Sequence, residues 1–185
     1  NIRFAATAHA RGFRTVHYIC PQVWAWHASR IPGIARTFDR LLVFLPFEPD
    51  CFRGTPLPVT FVGHPLVDRV AETFAEPEAP LPWCAGARRL ALLPGSRRPE
   101  IERIFPGMLA AAARLDAEIP GGCACVVPTP SAAIRALAEK TAAAAPARPE
   151  RLFFVDGLAR QVLRQAEAAI VASGTATLEA CLMRC

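Results

Sequence analysis

The segment Leu90–Arg97, LALLPGSR, has the residue types of a phosphate-binding turn. An apolar run leads into a loop with Gly95 and Ser96, and a helix is predicted directly afterwards. Unpaired amides and the partial positive charge at a helix start favour a phosphate, and glycine lets the backbone approach it closely. Arg97 could hold a diphosphate through bidentate, charge-assisted bonds. By itself the pattern is equally typical of a plain strand-to-helix connection with a solvated arginine.

A second turn of this kind lies in AAIVASGTATLE, residues 168–179. An apolar strand leads into Ser173, Gly174 and Thr175, and Glu179 follows on the same face of the next helix, four residues after the threonine. The turn could donate to phosphates while Glu179 accepts from a ribose diol. The alternative is a surface carboxylate near a helix start, which the helix dipole favours. Two such turns in one half suit a nucleoside diphosphate, which needs several contacts at the carboxyl ends of strands.

His64 follows a third predicted strand, in FVGHPLVD (residues 61–68). The proline after it favours an extended backbone at the histidine. We therefore expect His64 to point into a cleft between two halves of the protein, where it could donate to a sugar hydroxyl or a phosphate. A structural histidine at a turn is an equally good interpretation.

Trp24 and Trp26 also follow a predicted strand, and Arg30, Arg36 and Arg40 come after them. Aromatic residues beside cations can bind an acyl-chain substrate or a membrane interface. They could equally bind single-stranded nucleic acid. The alternative is a pair of core tryptophans followed by an ordinary basic helix.

The basic charge is concentrated at the start of the chain. The formal net charge is +5, and residues 1–40 alone hold six arginines and one aspartate. Such a patch could face a phosphorylated ligand or an anionic membrane surface, or be ordinary solvated surface. No apolar run approaches the ~20 residues that span a bilayer.

The cysteines predict neither a disulfide framework nor a zinc site. The seven of them include no CxxC pair. His9, His17 and His27 do not have the spacing of metal ligands either. We interpret the cysteines as small buried residues in a reducing cytosol.

Short apolar runs alternate with helical stretches along the chain, which is typical of parallel βαβ units. Strands are predicted at 15–20, 40–45, 58–62, 89–93, 124–127, 152–155 and 168–172. Helices are predicted at 2–11, 29–37, 65–73, 99–115, 131–145, 158–166 and 175–183, with a break at Pro106 because proline removes an intrahelical bond. The proline-rich residues 76–83 predict a linker between an α/β half at 1–75 and another at 84–185.

Five segments, in this order, resemble the lipid-A-disaccharide synthase family of glycosyltransferases. They are PQVWAW (21–26), LPFEP (45–49), FVGHPLVD (61–68), LLPGSR (92–97) and ASGTATLE (172–179). The resemblance covers the chain nearly from end to end. It implies a GT-B fold, in which two Rossmann-like domains with parallel sheets face each other across a cleft. Residues 1–75 would be the C-terminal part of the acceptor domain, and residues 84–185 the N-terminal part of the nucleotide-sugar domain.

The same resemblance implies an activity. The enzyme would transfer 2,3-diacylglucosamine, with inversion, from UDP-2,3-diacylglucosamine to 2,3-diacylglucosamine 1-phosphate (lipid X). It would release UDP and lipid A disaccharide 1-phosphate. The UDP-sugar would contact Gly95, Ser96, Arg97, Ser173, Gly174, Thr175 and Glu179, while Trp24, Trp26, Arg30 and His64 would line the acceptor site or the cleft. No cofactor, metal or nucleic acid is implied. The enzyme would lie peripherally on the cytoplasmic face of the inner membrane, and a homodimer is a further expectation.

The chain departs from the family at Cys20, where serine is common, and at His27, where arginine is common. The family's Gly-Glu-Ala-Ser-Gly-Asp motif is absent. Asn1 matches the end of an Asp-Phe-Asn segment thought to supply the general base. We therefore expect an internal fragment that lacks both ends and its catalytic base, and that is inactive by itself.

Other function classes remain open from the residues. One is another GT-B enzyme, such as a UDP-N-acetylglucosamine 2-epimerase or an undecaprenyl-linked N-acetylglucosaminyltransferase. The two tryptophans ahead of LPFEP argue against both. A non-enzymatic module that binds membranes or nucleic acid is the third class, and the basic opening segment is its only support.

Overall fold

The computed structural model describes residues 2–185, so Asn1, the predicted end of a base-bearing segment, lies outside the described residues. The chain separates into two compact units, whose boundary lies between Asp68 and Arg69. That boundary lies inside a helix, Pro65–Ala75. The domain limits expected around residues 76–83 stay predictions.

The first unit is built on a three-stranded sheet. Its elements are α1 (Ile2–Ala10), β1 (Val16–Tyr18), α2 (Ile31–Thr37), β2 (Arg40–Val43), β3 (Val59–Phe61) and the start of α3 (Pro65–Ala75). The strands are parallel, in the order β1-β2-β3. Leu41 and Val43 of the central strand are fully buried and pack with Ile34 and Phe52. A central parallel strand is covered on both faces, which explains its continuous apolar run.

The second unit contains the rest of α3, four strands and five further helices. They are β4 (Arg88–Leu93), α4 (Arg98–Arg103), α5 (Phe105–Glu118), β5 (Cys123–Thr129), α6 (Ala132–Ala144), β6 (Arg151–Asp156), α7 (Ala159–Gln165), β7 (Ala168–Val171) and α8 (Thr175–Leu182). All strand pairs are parallel, in the order β6-β5-β4-β7. The chain extends the sheet in one direction from β4 and then returns to the other side of β4. Ligands bind at such a reversal in open α/β sheets.

The core of the second unit lies between the sheet and its helices. Ile101, Phe105 and Leu109 are fully buried and pack against Leu92 and Val127. Every residue of β5 is buried. The predicted fold class is confirmed: the chain is α/β, with two parallel sheets that are consistent with Rossmann-like halves.

The predicted strands and helices are all present, with small differences at their ends. The predicted break lies between Arg103 and Phe105, and Pro106 occupies the first turn of α5, where its missing amide hydrogen is not needed. The helix predicted from residue 29 was wrong at its start. A 3-10 turn, Ala28–Arg30, comes first, and α2 begins only at Ile31.

The proline-rich segment 76–83 has no regular structure and lies against α7. The indole N–H of Trp83 donates to Gln165 Oε1 at 3.0 Å, and Gln165 Nε2 donates to the Ala79 carbonyl at 2.8 Å. Gln161 Oε1 accepts from the Ala79 amide at 3.3 Å. Both glutamines are buried, so these bonds satisfy polar groups that would be costly to leave unpaired.

None of the helices within residues 2–185 is long and apolar enough to cross a membrane.

Candidate functional site

The two predicted phosphate-binding turns leave neighbouring strands at the same edge of the second sheet. Leu93 of β4 lies opposite Val171 of β7, and the amide of Ala172 donates to the Leu93 carbonyl at 2.9 Å. Residues 94–97 and 173–175 follow directly from this pair. The parallel pairing of β4 with β7 therefore brings together two turns that are far apart in the sequence, at the reversal of the sheet.

The first turn is closed by a side chain that sequence reasoning missed, Glu100. Its Oε2 accepts from the amides of Ser96 at 2.7 Å and of Arg97 at 3.0 Å. Its Oε1 accepts from Arg97 Nη1 at 3.3 Å. Gly95 has a φ of 113°, and any Cβ at this position would collide with the Glu100 carboxylate. A local signal was available, because a glutamate three residues into a helix typically caps its start.

This arrangement changes how the first turn could hold a phosphate. The amides of Ser96 and Arg97 are already bonded to Glu100, Pro99 has no amide hydrogen, and the Glu100 amide donates to the Arg97 carbonyl at 3.0 Å. The Arg97 side chain is 79% exposed. The amides of Ser96 and Arg97 are therefore taken up within the chain, whereas the Arg97 guanidinium and the Ser96 hydroxyl belong to exposed residues that an anion could reach.

The second turn is open to solvent. Ser173, Gly174 and Thr175 are exposed, and Gly174 has a φ of 155°, which favours glycine. The Thr177 hydroxyl donates to the Gly174 carbonyl at 2.6 Å, which tightens the first turn of α8. The polar groups of residues 173–175 therefore face water, beside the turn at residues 94–97.

Glu179 lies one turn further along α8 and is held by an arginine. Arg160 Nη1 on α7 donates to Glu179 Oε1 at 3.2 Å, and Arg160 Nε donates to the hydroxyl of the buried Thr73 at 3.0 Å. The Glu179 side chain is only 20% exposed. Its second oxygen can accept further bonds, as from a diol. No local pattern in the sequence indicated the part played by Arg160.

In the first unit, His64 caps α3. Its Nδ1 accepts from the Leu66 amide at 3.0 Å. Its ring packs edge to face against the Phe44 ring, with 4.6 Å between the ring centroids. Because Nδ1 accepts, the neutral ring carries its proton on Nε2, which is a donor. His64 lines a pocket of about 250 Å³ within the first unit, together with Tyr18 and Asp68, among others. Its expected position in a cleft between two halves stays a prediction.

The two tryptophans are surface residues, so the interpretation as core residues was wrong. Trp24 is 44% exposed and Trp26 is 67% exposed. The Trp24 ring packs edge to face against the Phe47 ring, with 5.3 Å between the ring centroids. Arg30 is also exposed, two residues beyond the start of the 3-10 turn. Two exposed apolar rings and an exposed cation therefore lie in the segment that follows β1.

The interpretation of the cysteines as small buried residues holds for some of them only. Cys20, Cys123 and Cys125 are buried, whereas Cys181 is exposed. Burial, reinforced by the Cys123 thiol, raises the pKa of Cys125 to about 12. Burial, reinforced by Glu48, raises the pKa of Cys20 to about 12 as well. Within residues 2–185, no three His, Cys, Asp or Glu side chains are grouped so that they could hold a metal ion.

Comparisons with known proteins point in one direction. A family model described as lipid-A-disaccharide synthetase matches residues 1–185. The chain is 44% identical, over 178 residues, to a lipid-A-disaccharide synthase of Sodalis glossinidius, a match that covers 95% of this chain and 46% of that protein. It is 42% identical, over 184 residues, to one of Chromohalobacter salexigens, covering 98% of this chain and 47% of that protein. The chain therefore spans about half the length of these relatives.

Proposed function

The chain belongs to the lipid-A-disaccharide synthetase family, and on this basis we propose an activity for the protein that contains it. That protein transfers 2,3-diacylglucosamine, with inversion, from UDP-2,3-diacylglucosamine to lipid X. It releases UDP and forms lipid A disaccharide 1-phosphate. The observation that carries the proposal is the pairing of β4 with β7, since it places both polar turns at the reversal of one parallel sheet.

The second unit binds the sugar nucleotide in this proposal. Arg97 binds the diphosphate through its exposed guanidinium, and the turn at 173–175 binds it from the neighbouring strand. Glu179, oriented by Arg160, accepts from the ribose diol. As the glycosidic bond to UDP breaks, negative charge grows on the diphosphate. Arg97 therefore stabilises the transition state more than the bound substrate.

The first unit binds the acceptor. His64 donates through Nε2 to a hydroxyl or phosphate of the acceptor sugar, and Arg30 attracts its 1-phosphate. Trp24 and Trp26 contact the acyl chains, because exposed rings suit a ligand that is apolar at one end and polar at the other. The same surface supports peripheral binding to the cytoplasmic face of the inner membrane. We extend the proposal to a homodimer of the full-length protein. The general base is expected from the Asp-Phe-Asn segment of the family and is assigned to no residue of this chain.

The test is a product assay on the full-length protein, with UDP-2,3-diacylglucosamine and lipid X. Arg97→Ala removes the guanidinium and should cost about 2–4 kcal/mol of transition-state stabilisation, as losing one preorganised donor does elsewhere. Arg98→Ala is the matched control, since that side chain is 70% exposed and pairs with Glu102 instead. Near-normal turnover of the Arg97 variant would remove this residue from the mechanism. Efficient use of a non-acylated sugar nucleotide would favour another GT-B enzyme.

A further inference from the structure

The first turn already holds an anion, which is its own Glu100. One carboxylate oxygen accepts from two backbone amides, at 2.7 and 3.0 Å, and the other accepts from the Arg97 guanidinium at 3.3 Å. The contact depends on Gly95, which leaves the space above the backbone free for the carboxylate. Of the groups that the proposed function assigns to the donor diphosphate, the Arg97 guanidinium is thus already bonded within the chain, through Nη1.

A diphosphate that approaches Arg97 competes with Glu100 for Nη1. The carboxylate, which is also bonded to the two backbone amides, stays nearby and repels the phosphate charge. We propose that Glu100 is an internal competitor of the donor diphosphate. It occupies the turn when no nucleotide is bound and lowers the affinity for the donor. This inference rests on the proposed function, in which Arg97 binds the donor.

The structure favours exchange over a permanent lock. The side chains of Arg97 and Glu100 are 79% and 28% exposed and lie three residues apart, and surface pairs of this kind are weak. A diphosphate offers the guanidinium stronger, bidentate bonds. The pair is therefore weak enough to open when the nucleotide arrives.

Glu100→Gln separates the two roles of the carboxylate. The amide oxygen of glutamine can take the place of Oε2 and keep both backbone bonds, whereas its NH₂ group cannot accept from Arg97. The control is Glu102→Gln, which removes the same charge from the same helix. Glu102 is 49% exposed and pairs with Arg98, outside the turn.

The experiment is calorimetric titration of the full-length protein with UDP and with uridine. We expect Glu100→Gln to bind UDP roughly threefold to tenfold more tightly, the range for removing one nearby like charge at a surface. Uridine, which has no phosphate, should bind as in the wild type. The Glu102→Gln variant should match the wild type for both ligands. In an Arg97→Ala background, Glu100→Gln should increase the affinity for UDP by a smaller factor. A purely structural role of Glu100 would not make its effect depend on Arg97.

The outcomes separate the two proposals. Failure of the wild type to bind UDP, or wild-type affinity in Arg97→Ala, refutes the proposed donor site. If UDP binding depends on Arg97 but Glu100→Gln leaves it unchanged or weakens it, the donor site stands and the competition does not. The competition is also refuted if Glu100→Gln raises the affinity for UDP and for uridine equally. It is refuted as well if Glu102→Gln raises the affinity for UDP as much as Glu100→Gln does.

Discussion

Asp116, near the end of α5, ties three elements of the second unit together. Its Oδ1 accepts from the Cys123 amide at 2.6 Å, where β5 begins, and its Oδ2 accepts from the Glu150 amide at 3.0 Å, just before β6. Arg151 Nη2 lies 3.8 Å from Oδ1. The side chain is only 14% exposed and Cys123 is buried, whereas Glu150 is exposed, so the bond to the Cys123 amide is the better shielded of the two.

Replacing Asp116 with asparagine leaves one acceptor oxygen for two amides. One amide then faces an NH₂ group, and the remaining bond loses its charged acceptor. We expect a loss of about 1–2 kcal/mol in the free energy of unfolding, because the bond to the Cys123 amide loses its charged acceptor, while the amide of the exposed Glu150 can bind water instead. Urea denaturation at pH 7 measures the loss. The control is Glu118→Gln on the same helix, whose side chain is 67% exposed and 3.9 Å from Arg114; it should cost less than about 1 kcal/mol.

The pH dependence gives a second test of the same contact. Burial by itself raises the pKa of Asp116, but the amides of Cys123 and Glu150 and the charge of Arg151 outweigh it. The pKa therefore lies below its ordinary value of 3.8. For a carboxyl group with a lowered folded-state pKa, the stabilisation is fully present above the unfolded-state pKa and is lost as the pH falls through the folded-state pKa. The difference between wild type and Asp116→Asn should stay constant from pH 7 to about 5 and shrink below about pH 4. Equal stability at pH 7, or a difference that grows in acid, would refute the reasoning.

Two further predictions concern His64 and the cysteines. His64→Ala should lose both the cap of α3, which costs about 1 kcal/mol in the free energy of unfolding, and the Nε2 donor. His64→Asn should keep the cap but still raise the KM for the acceptor, because it lacks that donor. If the asparagine variant recovers full activity, the cap alone is what matters. At pH 8 iodoacetamide should label the exposed Cys181 and leave Cys125 unlabelled, because burial keeps that thiol protonated with a pKa of about 12. Mass spectrometry of peptides from native and urea-treated protein checks this, and labelling of native Cys125 would contradict the buried position.

The strands, the helices and the break in front of Pro106 could all be predicted from the sequence. Each depends on local rules: a short apolar run bounded by turn residues, a helical stripe, or a proline that cannot continue a helix. The two polar turns were predicted for the same reason, since each follows an apolar strand directly. The contact of Glu100 with the first turn was also local, and its spacing from Arg97 would have indicated it.

Other features required the tertiary structure. That the two turns are neighbours depends on β7 pairing with β4 instead of extending the sheet beyond β6. The pairing of Glu179 with Arg160 depends on the packing of α7 and α8, and the exposure of Trp24 and Trp26 depends on which faces the first unit covers. The sequence by itself therefore determined the elements and the chemistry at their ends, because backbone preferences and hydrophobic period act over a few residues. Only the tertiary structure decided which ends meet and which charges are already paired, because long-range packing brings distant residues into contact.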